Sequence, residues 1–164
     1  MDAAFVSDFR RTVDRAAGRL LEFSDEEASV RPAPGKWSRK EIIGHLIDSA
    51  SNNYGRFIRA QLQDDLIFDG YDQDAWVRVA AYQARPWPDL VRFWQSFNGH
   101  IAAVMETAGR DALTRPRPRH NLDQLAWQTV DARQPTTLEY FMRDYVGHLE
   151  HHLRQALPAA IEQP

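Results

Sequence analysis

The chain has 164 residues, with 20 Lys and Arg against 23 Asp and Glu and a formal net charge of -3. It is therefore sized for one domain, 1–164, with a substantial core, and has no bulk positive charge to favour a nucleic-acid backbone as partner. It has no cysteine, which excludes disulfides, thiolate nucleophiles and Cys-based metal sites and leaves His and carboxylates as the strong ligands. No run approaches the ~18 apolar residues of a membrane span, so a soluble, cytoplasmic protein with no membrane partner is expected.

From Ala3 to Phe23 the residues Phe5, Val6, Phe9, Val13, Ala16, Ala17, Leu20 and Leu21 recur at helical spacing, with Asp and Arg on the other face; this predicts a first helix. Ser24 to Gly35 holds Pro32, Pro34 and Gly35 and reads as a loop. Ser38 and Glu41 then have the spacing of a capping box, with Trp37 just before the cap. A second helix is expected from about Arg39 to Gln61, burying Ile42, Ile43, Leu46, Ile47, Ala50, Tyr54, Phe57 and Ile58. His45 falls on the flank of that sector, and with Ser49 and Asn53 it draws a polar strip beside the core.

Leu62 to Trp87 carries five aspartates, Asp64, Asp65, Asp69, Asp72 and Asp74, in an acidic turn around Gly70 that closes before the apolar set in Ala75 to Ala80; a loop and one short helix are expected. Pro88 suits the first turn of a third long helix. Its stripe reads Leu90, Phe93, Trp94, Phe97, Ile101, Val104 and Ala108, ending at Gly109. The Pro/Arg-rich stretch Thr114 to His120 cannot be regular, and Leu122, Leu125, Trp127 and Val130 read as an irregular or weakly extended cover. A last helix starts at Thr136 or Thr137, buries Leu138, Phe141, Met142, Tyr145, Leu149, His152, Leu153 and Ala156, and stops at Pro158. Four long amphipathic helices with breaking loops predict an all-α four-helix bundle with a short extra helix in the crossover.

His148 and His152 lie one helical turn apart, their bases about 6 Å from one another. Such a pair can share a cation or can be two hydrogen-bonded, partly buried histidines; His45 on a second amphipathic helix favours a site, because bundles build metal sites between facing helices. By helical phase His151 points to solvent. His100 lies off its stripe, and His120 lies in the Pro/Arg loop. Asp48, Glu41 and Asp144 sit one turn from a candidate ligand, where a carboxylate could orient an imidazole or act as a base, or be a solvated charge. Arg115, Arg117 and Arg119 could attract an anion or form a solvated basic loop.

Gly35 to Ser49, with its W-S-x-x-E-x-x-x-H-L-x-D pattern, Gly70 to Val77, and His148 to Gln155, with H-x-x-x-H-x-x-Q, together resemble the DinB/YfiT-like superfamily over nearly the whole chain. The resemblance implies an up-down-down-up four-helix bundle, with a divalent metal, zinc or nickel, held by His45, His148 and His152, and a homodimer. It further implies a metal-dependent hydrolase, or a transferase using a low-molecular-weight thiol such as bacillithiol or mycothiol, acting on a small molecule. A bundle that binds metal or ligand in a stress response without turnover is the alternative.

Overall fold

The capping box at Ser38 forms as its spacing requires. The Ser38 hydroxyl accepts the Glu41 amide, and the Glu41 carboxylate accepts the Ser38 amide, satisfying two donors that the helix itself leaves open. The computed structural model describes residues 1–157. Among them the helices are α1 (Ala3–Leu20), α2 (Asp25–Ser29), α3 (Arg39–Leu62), α4 (Gln73–Ala80), α5 (Trp87–Thr107), α6 (Arg110–Thr114), α7 (Leu122–Leu125) and α8 (Leu138–Ala156), with a 3-10 turn at Tyr82–Ala84 between α4 and α5. No helix among the described residues is long and apolar enough to cross a membrane.

The long helices α1, α3, α5 and α8 make an up-down-down-up bundle, and their cross-contacts give each direction. Arg10 reaches Gly99 and Glu106, Asp14 pairs with Gln95, and Leu20 meets Trp87, so α1 and α5 run antiparallel. Arg39 bonds the Ala156 carbonyl while Phe57 packs on Phe141, so α3 and α8 are also antiparallel. Asp25 fixes the remaining relation by holding both Lys40, at the start of α3, and the Trp87 amide, at the start of α5. The core fills the space between these four helices and is led by Trp87, Trp94, Phe9, Phe57 and Phe141.

Several local expectations are corrected. The first helix ends at Leu20, not Phe23, and α2 occupies part of the stretch read as loop, nucleated by a second capping box of Ser24 and Glu27. The third long helix ends at Thr107, because Gly109 caps α6 instead. Its buried sector is turned toward Val91, Asn98, Ala102 and Met105, leaving Phe93 55% exposed. The reason is that α5 packs between α1 and α3, and Asn98, invisible to an apolar count, is buried to meet the Tyr145 hydroxyl at 2.5 Å. The cover after His120 contains α7, and its extended character is limited to the isolated bridges Leu66 with His120 and Arg117 with Thr136. Pro158 lies outside the described residues, and α8 ends at Ala156.

The Pro/Arg loop is not a solvated basic patch. Arg117 is 1% exposed and donates to the carbonyls of Ala60, Gln63 and Ala112, so it caps the end of α3 with a fixed cation. Arg115 and Arg119 pair with Asp64 and Asp65. His120 is likewise buried and structural: its Nε2 meets the Gln134 carbonyl at 2.7 Å and its Nδ1 accepts the Leu122 amide. Arg117→Met should leave three acceptors without their donor and destabilise the fold by about 3 kcal/mol, lowering the melting temperature by roughly 6–12 °C. Thermal denaturation followed by circular dichroism checks this, and an unchanged midpoint would refute the capping role.

Candidate metal centre

Along α3, His45, Ser49, Asn53 and Arg56 recur at intervals of four, four and three, so they share one face. All four are buried, and this is the polar strip expected beside the core. Antiparallel packing of α8 on α3 brings His148 and His152, both half-buried, to the N-terminal end of that strip. One ring nitrogen from each of His45, His148 and His152 lies within 4.8 Å of the other two. The Nε2 atoms of His45 and His148 are 3.3 Å apart, close to the separation of about 3.3 Å that two nitrogens keep around a tetrahedral cation with bonds near 2.0 Å. Among the described residues this is the cluster of His, Asp and Glu able to hold a metal.

The surroundings hold the rings neutral, which is their ligating form. Burial, together with the neighbouring His152 and His148, brings the His45 pKa down to about 3. Burial, then His152 and His151, brings His148 down to about 4. His152 is lowered by burial despite an opposing hydrogen bond to Gln155. Trp37, the residue before the α3 cap, covers one side, its ring centroid 5.0 Å from that of His45 and 6.4 Å from that of His152.

Gln155 sets the tautomer of His152. Its Oε1 lies 2.9 Å from His152 Nδ1, which must therefore be the protonated nitrogen, leaving Nε2 with its lone pair free. The Gln155 amide nitrogen in turn donates to His151 Nε2 at 3.1 Å. His151 is thus not a free surface group, as helical phase suggested: it is half-buried, packed on Trp127 with ring centroids 5.5 Å apart, and bonded to the residue that orients a ligand candidate. Gln155→Ala should weaken metal binding by about 10–100-fold, the usual cost of losing a partner that orients an imidazole. Chelator competition measures it, and an unchanged affinity would show that Gln155 orients nothing.

The supporting carboxylates are also more deeply placed than a solvated reading allows. Asp48 is buried, its Oδ1 accepts the Tyr82 hydroxyl at 2.6 Å, and burial raises its pKa against that bond. Tyr82 lies against Gly44, where a Cβ would come within 2.1 Å of the ring, so Asp48 holds Tyr82 against the backbone next to His45; the second Asp48 oxygen, Oδ2, and His45 Nδ1 are both buried without a protein partner. Asp144 lines the cleft beside His148, but its two oxygens accept the amides of Trp127 and Gln128. Burial raises its pKa against those bonds. Glu41 is buried and bound to Ser38 and Arg31. His100 is exposed and rests on Tyr54, away from the cluster.

A cleft of about 340 Å³ opens from His45 and His148 along the strip. Arg56, Tyr71 and Trp127 join its walls, and none of the three was singled out from the sequence as a binding residue. The signal for Arg56 was available in its phase, eleven positions past His45 on one helical face. Tyr71 and Trp127 come from loops, and their place follows only from the fold.

A bundle that turns three neutral imidazoles from two antiparallel helices toward one point is of the class that builds candidate metal centres between helices. The chain belongs to the DinB superfamily, whose family model matches residues 8–156. It is 22% identical over 130 residues to a Bacillus subtilis (strain 168) protein named "Putative metal-dependent hydrolase YfiT", spanning 79% of this chain and 67% of that protein. The solved structure of YfiT, described as a four-helix bundle of unusual topology, superposes with a TM-score of 0.71 at 19% identity, covering 95% of this chain and 86% of that one. That superposition bears on the fold alone.

Proposed function

We propose that His45, His148 and His152 hold one divalent cation, and that the protein is a metal-dependent enzyme acting on a small molecule in the adjoining cleft. The observation that carries this is the 3.3 Å approach of His45 Nε2 to His148 Nε2, in a cluster whose rings are kept neutral by burial. Imidazole sets suit zinc and nickel equally, and both are proposed. The YfiT relative, by name a metal-dependent hydrolase, supports the same reading.

A bound cation would supply Lewis acidity, lowering the pKa of a nucleophile that reaches its open position. The chain's own groups then do the rest. Three neutral imidazoles bring no negative charge, so the centre favours an anionic nucleophile, a hydroxide for hydrolysis or a low-molecular-weight thiolate for transfer. Trp37 excludes water from one side, and Gln155 keeps the His152 lone pair turned inward. Asp144, with both oxygens engaged by backbone amides, clamps the loop that carries Trp127 rather than serving as a base.

The non-catalytic alternative calls for a cation closed off by a fourth protein ligand. The cluster has three imidazoles, and among the described residues no carboxylate comes close enough to join it as a fourth ligand; this favours the enzyme. The deciding experiment is metal analysis of the purified protein, followed by a screen of small esters and amides, and of low-molecular-weight thiols with electrophilic acceptors. Stoichiometric metal with turnover supports the proposal. Metal without turnover returns the reading to the binding bundle, and no metal uptake removes the metal centre and leaves only a ligand-binding bundle.

A further inference from the structure

We propose that the cleft beside the histidines takes an extended substrate carrying an oxyanion group, a carboxylate or a phosphate, which seats on Arg56. This rests on the reading of the histidine cluster as the reacting centre. Arg56 is only 4% exposed, yet it lines the cleft. Its guanidinium donates to the Asn53 side-chain oxygen at 3.4 Å and to the Asp69 carbonyl at 2.6 Å. Both acceptors are neutral, and among the described residues none of the ion pairs involves Arg56.

A guanidinium stays charged at any working pH and carries more donors than these two bonds use. Burying such a cation with no direct ion pair, and only the more distant charge of Asp69 to offset it, is costly, and an oxyanion entering the cleft would supply a paired charge in the bidentate geometry that a guanidinium prefers. Two further groups on the same wall can bond an anion. Ser49 and Tyr71, which hydrogen-bond each other, present hydroxyls that an entering anion can take up in exchange, and Tyr71 stays protonated because burial, the first of its causes, pushes its pKa up to about 12. The acids around them are Asp144 across the cleft, whose oxygens already accept two backbone amides, Asp48 near Tyr71, and Asp69 near Arg56, which meets Arg56 through its carbonyl and not through a carboxylate ion pair.

Position along α3 fixes the substrate's length. Eleven residues separate His45 from Arg56, about 16 Å of helix axis with a phase difference near 20°. Helical side chains lean toward the N-terminus, so Arg56 leans toward His45 and, being the longer side chain, outreaches the lean of His45 in the same direction. The oxyanion should thus lie on the order of 10 Å from the reacting atom, a span that the cleft of about 340 Å³ accommodates.

The probes are hexanoate, hexyl phosphate and the uncharged hexanamide, titrated into metal-free protein while the Arg56 Nε–H resonance is followed by NMR. At least one anion should shift that resonance and bind about tenfold or more tightly than the amide, and the tighter of the two anions identifies the group. Arg56→Met should abolish the preference and Arg56→Lys should retain part of it. No preference for either anion in the wild-type protein, or a preference undiminished in Arg56→Met, would overturn the inference. If Arg56→Met fails to fold for want of its bond to Asp69, the wild-type titration and the resonance decide alone. Zinc stoichiometry, measured separately, tests the histidine cluster. Anion preference without zinc uptake removes the metal reading and leaves an oxyanion subsite, whereas zinc uptake without anion preference removes only the subsite.

Discussion

Excess zinc or nickel should raise the melting temperature of the wild-type protein steeply, and His148→Ala should erase that response. A ligand that binds only the folded state at a free concentration a thousandfold above its Kd stabilises by about 4 kcal/mol. For a domain of this length that is roughly 8–16 °C in melting temperature. His148 is the choice for removal because it joins the two helices, with its Nε2 3.3 Å from that of His45 and its ring 4.6 Å from that of His152. Losing a ligand should cost more than the ~100-fold that losing an orienting partner costs. The variant without metal should keep the helical spectrum of the wild type, because His148 is half-buried and its removal leaves no charge unpaired. Differential scanning calorimetry with and without metal measures both effects. A His148→Ala variant that still gains the full shift would refute the assigned centre.

Acid should unfold the metal-free protein early, and the sign follows from which state holds the protons. The folded-state pKa values of His45 and His148, about 3 and about 4, lie below the ordinary value of 6.5. Between pH 6.5 and 4 the unfolded chain therefore binds protons at these positions that the folded chain does not. Stability falls as pH falls through that window, and is fully present above 6.5. Two such groups give a slope of at most about 2.7 kcal/mol per pH unit, large beside the 5–15 kcal/mol that typically holds a domain together. Saturating metal should move the transition to lower pH until protons displace the cation. Urea midpoints between pH 4 and 7, with the His45→Gln variant alongside, report the slope. A flat profile in the wild type, or an equal slope in the variant, would show that His45 is not held neutral by burial.

The long helices were legible because their signals are local. Ser38 with Glu41, Pro88 in a first turn, and Thr137 before Leu138 each act on amides within one turn of themselves, and all three form as their spacing requires. Boundaries failed where tertiary packing competes: Gly109 caps a short helix instead of ending a long one, and Phe93 lost its place in the core because α5 lies between two partners rather than against one. Charged and polar residues were the hardest to read. Arg117 and Arg119 are two positions apart in one Pro/Arg loop, yet Arg117 is buried on three carbonyls and Arg119 is exposed. Burial of a charge depends on which acceptors another segment brings, and the local pattern contains no record of them.

By itself the sequence determined the helical class, the caps, the phase that puts His45 on a polar strip, and the one-turn spacing of His148 and His152. Those follow from bonds and periodicities a few residues long. The tertiary structure decided that α3 meets α8 antiparallel, so that three imidazoles separated by a hundred residues of chain converge. It also decided that His151 and Gln155 back one of them and that Arg56 faces a cleft. Convergence, burial and the resulting loss of solvation depend on contacts between distant segments, and such contacts exist only after the helices have packed.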